Sequence, residues 1–287
     1  MRKALLVGIN KYPGSPLRGC VNDVITVFQI LTSRFNFKTE EIKILTDHEA
    51  TKRNMVEGLK WLTDGAQSGD TIVFHYSGHG SQVMVDDWTD TDEIDGRDEI
   101  LCPVDLDWDD PLRDHEVGAY FKAVPKDCTT LVILDCCHSG TGLRNGFMPG
   151  IEHTDKDFIN RFISPPVSNI LRNSSVIIQE DFSFDFPDPK INTRAVKSNF
   201  LIDTTNQGDA VLLAGCEENQ TSADAWINSQ YRGAMTYALA RTLLAHHFDI
   251  TYKNLITEIN VFMDKANYEQ NPQLEADQIF FDKKFLK

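Results

Sequence analysis

Apolar residues fall along the chain in short, nearly continuous runs, separated by stretches in which they recur every three or four positions. The runs at 3–9, 42–46, 71–76, 130–135 and 210–216, with a shorter one at 278–281, predict strands. They do not alternate with polar residues, the pattern of parallel strands covered on both faces. Between them, Val21, Val24, Phe28 and Leu31 recur at helical spacing about Asn22-Asp23, and Met55, Leu59 and Leu62 do so after a Thr51 cap. Gly233 to His246 predicts another helix, and Leu255, Ile259 and Phe262 predict one after Thr251. Strands alternating with helices define an α/β fold, with a largely parallel central sheet covered by helices on both faces. Residues 141–208 break this rhythm with scattered prolines and short apolar runs, too long for a plain connection and expected to serve function or to be disordered.

Composition narrows the class. With 287 residues, 41% of them hydrophobic, the chain can bury one large α/β core or two small ones. Its net charge of −15 argues against nucleic acid as a partner, because phosphates would be repelled. Much of that charge sits between Asp86 and Glu116, where 14 acidic residues accompany two arginines. Such a run is commonly a solvated loop; it also suits attraction of cationic substrates or binding of Ca²⁺. A strand-like run begins after two residues, which leaves no room for a signal peptide, and no segment approaches the ~20 apolar residues of a membrane span. Six cysteines, two of them adjacent, match neither a disulfide framework nor a CxxC zinc site, so a reducing cytoplasm is expected.

Two strand ends carry the chemistry. The run from Thr130 to Leu134 leads into Asp135-Cys136-Cys137-His138-Ser139-Gly140, and the run from Thr71 to Tyr76 leads into Ser77-Gly78-His79-Gly80. In parallel sheets, sites lie beyond the carboxyl ends of the strands. A thiol is only partly ionised at neutral pH, so a cysteine nucleophile needs a partner such as His79 to promote the thiolate and protonate the leaving amine. The glycines allow close backbone approach, and the N–H groups of Gly80 and Cys137 are suited to form an oxyanion hole. Either motif alone reads equally as a buried cysteine or a structural loop histidine. Together, with Cys137 placed 58 residues after His79, they approach the roughly 50-residue spacing of caspases.

These motifs and three others resemble those of the metacaspases, in the caspase-like clan of cysteine peptidases. Arg2 to Asn10 looks like the first family strand, and Leu17 to Asp23 like the next motif. His75 to Gly80 resembles the histidine motif, Asp135 to Gly140 the nucleophile motif, and Asn219 to Asp224 the opening of the small-subunit region. The resemblance implies one caspase-like (caspase-hemoglobinase) catalytic domain over 1–287. It divides into a large-subunit-like region at 1–145, a connecting segment at 146–208 and a small-subunit-like region at 209–287.

It further implies that Cys137 is the nucleophile, with His79 its partner and Cys136 packed behind. Asp23 and Asp135 match the acidic residues of a pocket for arginine or lysine at P1, with Cys20 and Ser77 in its wall and Asp224 as a further contributor. Fork-shaped pairing with carboxylates favours Arg over Lys. The activity implied is an endopeptidase acting on proteins or peptides, monomeric, with self-cleavage in the connecting segment as an activation step. Lys156, Arg161, Arg172, Lys190, Arg194 and Lys197 are the candidate bonds. An inactive binding scaffold and a clan relative with another P1 preference are the alternatives. Many metacaspases respond to Ca²⁺, and Asp98 and Asp114 stand where two ligands are expected. His115 and Arg144 stand where further aspartates belong, and a cation in an oxygen site opposes Ca²⁺. No required cofactor is therefore expected.

Overall fold

The structure is a computed structural model that describes residues 1–84, 97–137, 158–166, 210–217 and 220–287. Five parallel strands form the frame: β1 (Arg2–Gly8), β2 (Ile42–Thr46), β3 (Thr71–Ser77), β7 (Thr129–Asp135) and β9 (Ala210–Ala214). A short antiparallel strand, β12 (Gln273–Glu275), closes one edge, giving the order β12-β9-β7-β3-β1-β2.

Successive residues on the central strands face opposite layers, which explains why these strands are apolar throughout. Leu5, Val7, Phe74, Tyr76, Val132 and Leu134 pack with Met55, Leu59 and Leu62 of α2 (Lys52–Thr63) and with Val117 of α3 (Asp114–Lys122). Their neighbours Ala4, Leu6, Val73, Leu131 and Ile133 pack on the other face. There they meet Val24 and Leu31 of α1 (Cys20–Arg34), Leu239 of α4 (Ala234–Ala245) and Leu255 and Ile259 of α5 (Tyr252–Lys265). The expected Thr51 cap forms, accepting from the Asn54 N–H, and Thr251 caps α5 in the same way by accepting from the Asn254 N–H.

Two smaller sheets stand beside the carboxyl edge of the large one. One is antiparallel, from β4 (Gly80–Met84), β5 (Arg97–Leu101) and β6 (Leu112–Arg113). The other joins the hairpin of β10 (Ala223–Ile227) and β11 (Gln230–Gly233) to β8 (Phe158–Asn160), which lies antiparallel on β10. Gly8, at the end of β1, lets α1 come close: a Cβ there would lie 2.6 Å from Val24 Cγ2 and 2.7 Å from the Cys20 carbonyl oxygen. That approach sets Asp23 at the mouth of the sheet.

One expected strand is absent. Residues 278–281 form the short helix α6 (Gln278–Phe281), in which only Phe280 is buried and Ile279 is exposed. An apolar run of four residues does not distinguish strand from helix, and the last sheet position is filled by Gln273–Glu275 instead.

Candidate active site

Ser77 and Asp135 are register partners at the ends of the adjacent strands β3 and β7, so the residues two further on, His79 and Cys137, leave the sheet side by side. His79 is held at three points. Its N–H donates to the Tyr12 hydroxyl at 3.0 Å, and its carbonyl accepts from Tyr76 Oη at 2.6 Å. Its Nε2 lies 2.8 Å from the Ser15 carbonyl, which can only accept, so Nε2 carries the proton. Nδ1 is buried with no hydrogen-bond partner among the described residues. Burial lowers the imidazole to about 4, so at neutral pH it is uncharged, with a bare lone pair on Nδ1.

The Cys137 thiol is fully buried and receives the Ser222 N–H at 2.5 Å. No hydrogen bond joins it to His79; another part of the chain lies in the site. Arg161, directly after β8, directs its carbonyl oxygen at the N–H groups of Gly80, at 3.0 Å, and Cys137, at 3.3 Å.

The Arg161 side chain is fully buried among three carboxylates. Nη2 lies 2.8 Å from Asp23 Oδ2 and 3.1 Å from Asp224 Oδ1, while Nη1 lies 3.3 Å from Asp135 Oδ1. Nη1 also donates to Ser77 Oγ at 2.7 Å and to the Asp135 carbonyl at 3.0 Å. Each carboxylate has further donors that fix it. Asp23 accepts from the Gly233 N–H and Ser77 Oγ, Asp135 from Ser222 Oγ and from both N–H and Oγ1 of Thr236, and Asp224 from the Arg18 N–H. The Cys20 thiol completes the wall; burial pushes it far up, so it stays neutral. Burial also raises the Asp23 carboxyl to about 6 despite Arg161 beside it. It works on Asp135 in the same direction, but Arg161 and the donors from Ser222 and Thr236 hold that carboxyl below its ordinary value.

Cys137, His79, Gly80, Asp23, Asp135, Asp224, Cys20 and Ser77, all singled out in the sequence, thus converge on one cleft. Tyr12, the Ser15 carbonyl, Ser222 and Thr236 were not foreseen. Neither was Cys216, whose thiol is pushed up by the Cys137 thiol beside it and by burial.

Asp98 and Asp114 lie elsewhere, near β5 and α3. They form a group with His115, but Arg113 Nη1 sits 2.5 Å from Asp98 Oδ2, and His115 Nδ1 lies 3.3 Å from Oδ1. Among the described residues this group offers two carboxylates beside a guanidinium, whereas Ca²⁺ takes six to eight oxygens. Arg144 and the acidic residues from Asp86 to Asp95 are outside the described residues.

A parallel sheet that brings a cysteine and a histidine to adjacent strand ends, facing a main-chain carbonyl, defines a caspase-like cysteine peptidase. Residues 2–145 match the metacaspase, peptidase C14 domain family. Metacaspase-1 of Schizosaccharomyces pombe is 31% identical, covering 96% of this chain and 67% of that protein. Metacaspase-1 of Mycosarcoma maydis is 32% identical, covering 96% and 70%. The chain belongs to the metacaspase family. The crystal structure of a Geobacter sulfurreducens protein shares the fold, with a TM-score of 0.67 at 21% identity over 100% of this chain and 98% of that one.

Proposed function

We propose that this cysteine peptidase cleaves proteins and peptides after arginine, and less readily after lysine, with Cys137 as nucleophile and His79 as its acid–base partner. The observation that carries the reading is the guanidinium of Arg161, buried among Asp23, Asp135 and Asp224 while its carbonyl meets the Gly80 and Cys137 N–H groups. Arginine offers a planar fork to carboxylates, whereas lysine offers a point charge, so the pocket favours arginine.

In the reaction, the bare Nδ1 of His79 takes the thiol proton, and the Cys137 thiolate attacks the P1 carbonyl carbon. The oxygen that gains charge lies between the Gly80 and Cys137 N–H groups, which stabilise it from fixed positions. His79 returns the proton to the leaving amine as the C–N bond breaks, leaving a thioester on Cys137. Water, deprotonated by the same histidine, then attacks the thioester; the acid is released and the thiol restored.

Self-cleavage in the connecting segment activates the enzyme on this reading, and a monomer suffices, since every group named belongs to one chain. The resident Arg113 supports action without calcium. No described helix is long and apolar enough to cross a membrane; work in the cytoplasm is part of the proposal.

A P1-scanned peptide library tests the reading with wild type, Cys137→Ala and Asp135→Ala. Arginine substrates should lead for wild type, all turnover should vanish in the cysteine variant, and basic preference should be lost in the aspartate variant. Turnover confined to non-basic P1 residues would overturn the specificity; none at all in a folded wild-type chain would point to a binding scaffold.

A further inference from the structure

We infer that residues 159–163 lie in the cleft as the enzyme's own substrate, that processing cuts the Arg161–Phe162 bond, and that Ile-Asn-Arg is the pattern this enzyme reads at P3–P1. The inference rests on the peptidase reading above and adds the bond and the neighbouring subsites.

The backbone is held on both sides of that bond. Upstream, β8 pairs antiparallel with β10 in the register Ile159 to Asp224 and Asn160 to Ala223, and the Arg161 N–H continues the ladder to the Ser222 carbonyl at 3.1 Å. Downstream, Phe162 bridges to Gly80, the Ile163 N–H donates to the Gly80 carbonyl at 3.2 Å, and Ser81 Oγ donates to the Ile163 carbonyl at 2.5 Å. A peptide added as a strand gains affinity from main-chain bonds and selectivity from its side chains. Here Arg161 fills the acidic pocket, Asn160 Oδ1 accepts from Thr221 Oγ1 at 3.2 Å, and Ile159 packs half-buried against the core. A side chain at P2 that can accept from Thr221 and an apolar one at P3 are therefore the chemistry a separate substrate should offer.

The same contacts make the uncut segment an inhibitor. It is tethered, so its effective concentration in the cleft is high and a separate peptide competes poorly. The cut forms a bond from Cys137 Sγ to the Arg161 carbonyl carbon and breaks the bond to the Phe162 nitrogen, which takes its proton from His79. Hydrolysis of the thioester leaves Arg161 with a free carboxylate and Phe162 as a new N-terminus. Of the six basic candidates in the connecting segment, Arg161 is the one found in the described cleft; Lys156, Arg172, Lys190, Arg194 and Lys197 lie outside the described residues.

Intact-mass analysis and N-terminal sequencing of purified wild type test this, beside Cys137→Ala, Arg161→Lys and Arg161→Ala. A chain beginning at Phe162 should appear in wild type, more slowly in Arg161→Lys, and in neither of the others. Arg161→Lys keeps a cation among the carboxylates, so its outcome does not depend on whether Arg161→Ala folds. In parallel, cleaved wild type should hydrolyse an Ile-Asn-Arg reporter at least tenfold more efficiently than Ala-Ala-Arg. If arginine reporters are hydrolysed but no Phe162 terminus forms, or if the two reporters are equivalent, this inference fails while the peptidase reading stands. If a folded wild type hydrolyses no arginine reporter and yields no Phe162 terminus, both fail.

Discussion

The Ser15 carbonyl lies 2.8 Å from His79 Nε2 and fixes which nitrogen of that ring is free. The contact comes from main chain, in a loop where Gly14 has φ +79° and Pro16 follows. The His79 ring is thus positioned by a turn, and the Ser15 side chain has no part in it. Ser15→Ala should leave kcat within about twofold of wild type. Gly14→Val should lower it: a Cβ at Gly14 meets no atom within 4 Å, but a branched residue held in the left-handed conformation costs about 1–2 kcal/mol. Steady-state kinetics of cleaved enzyme should show kcat reduced several-fold with KM nearly unchanged. Equal losses in Ser15→Ala and Gly14→Val would contradict a backbone role.

Gly233 sets the width of the acidic pocket. A Cβ there would collide with the Asp135 carboxylate and come within 2.7 Å of Arg161 Nη1. Both are pinned, so neither can yield cheaply. In Gly233→Ala, kcat/KM for an arginine reporter should fall at least tenfold, mainly through KM. A reporter with aspartate at P1 should remain uncleaved in both wild type and variant, because its carboxylate would meet Asp23, Asp135 and Asp224. A Gly233→Ala enzyme with unchanged KM would show that the guanidinium of a separate substrate lies elsewhere.

The frame of the fold was legible in the sequence because its central strands are buried on both faces, and the largely apolar runs at 71–76 and 130–135 leave little else to conclude. The short elements were not. Strands β4, β5, β10 and β11 mix polar and apolar residues, and their pairing partners are set by tertiary contacts. The strand-like 278–281 became a helix for a related reason: four residues carry too little periodicity, and packing of Phe280 decided the outcome. At the site, residue types with distinctive chemistry in recognisable motifs stood out. The Ser15 carbonyl carries no side-chain signal, and Arg161 was one basic residue among six until the fold placed β8 on β10.

Three buried groups at the site titrate within one pH window. Burial lowers His75 and His79 from 6.5 to about 4, whereas it raises Asp23 from 3.8 to about 6. Below 6.5 the unfolded chain protonates both histidines and the folded one does not, so each removes stability as pH falls towards 4. Asp23 acts oppositely: below 6 the folded chain takes its proton before the unfolded one does. Two losses against one gain leave a net fall of about 1.4 kcal/mol per pH unit between 6 and 4. Thermal melts of uncut Cys137→Ala at constant ionic strength should show this decline. A further His75→Leu change should flatten it, since His75 is fully buried with both ring nitrogens unpartnered among the described residues. Asp23→Asn should steepen it, and an unchanged slope in both would refute the assignment.

Arg113 pairs with Asp98, which groups with Asp114 and His115. Asp98 is almost fully buried while Arg113 is partly exposed, so the pair is only partly screened by solvent. Removing the guanidinium leaves Asp98 Oδ2 without its charge partner, which should cost about 1–3 kcal/mol. Wild-type turnover of an arginine reporter should be the same in chelator as in millimolar Ca²⁺, and the melting midpoint should not move. Arg113→Ala should melt lower, and millimolar Ca²⁺ should restore part of the loss, because the vacated space now adjoins two carboxylates. The comparison separates a built-in cation from an ordinary surface ion pair. An ordinary pair would leave the variant indifferent to Ca²⁺, whereas a wild type that loses activity in chelator and regains it with Ca²⁺ would show that the enzyme needs calcium despite Arg113.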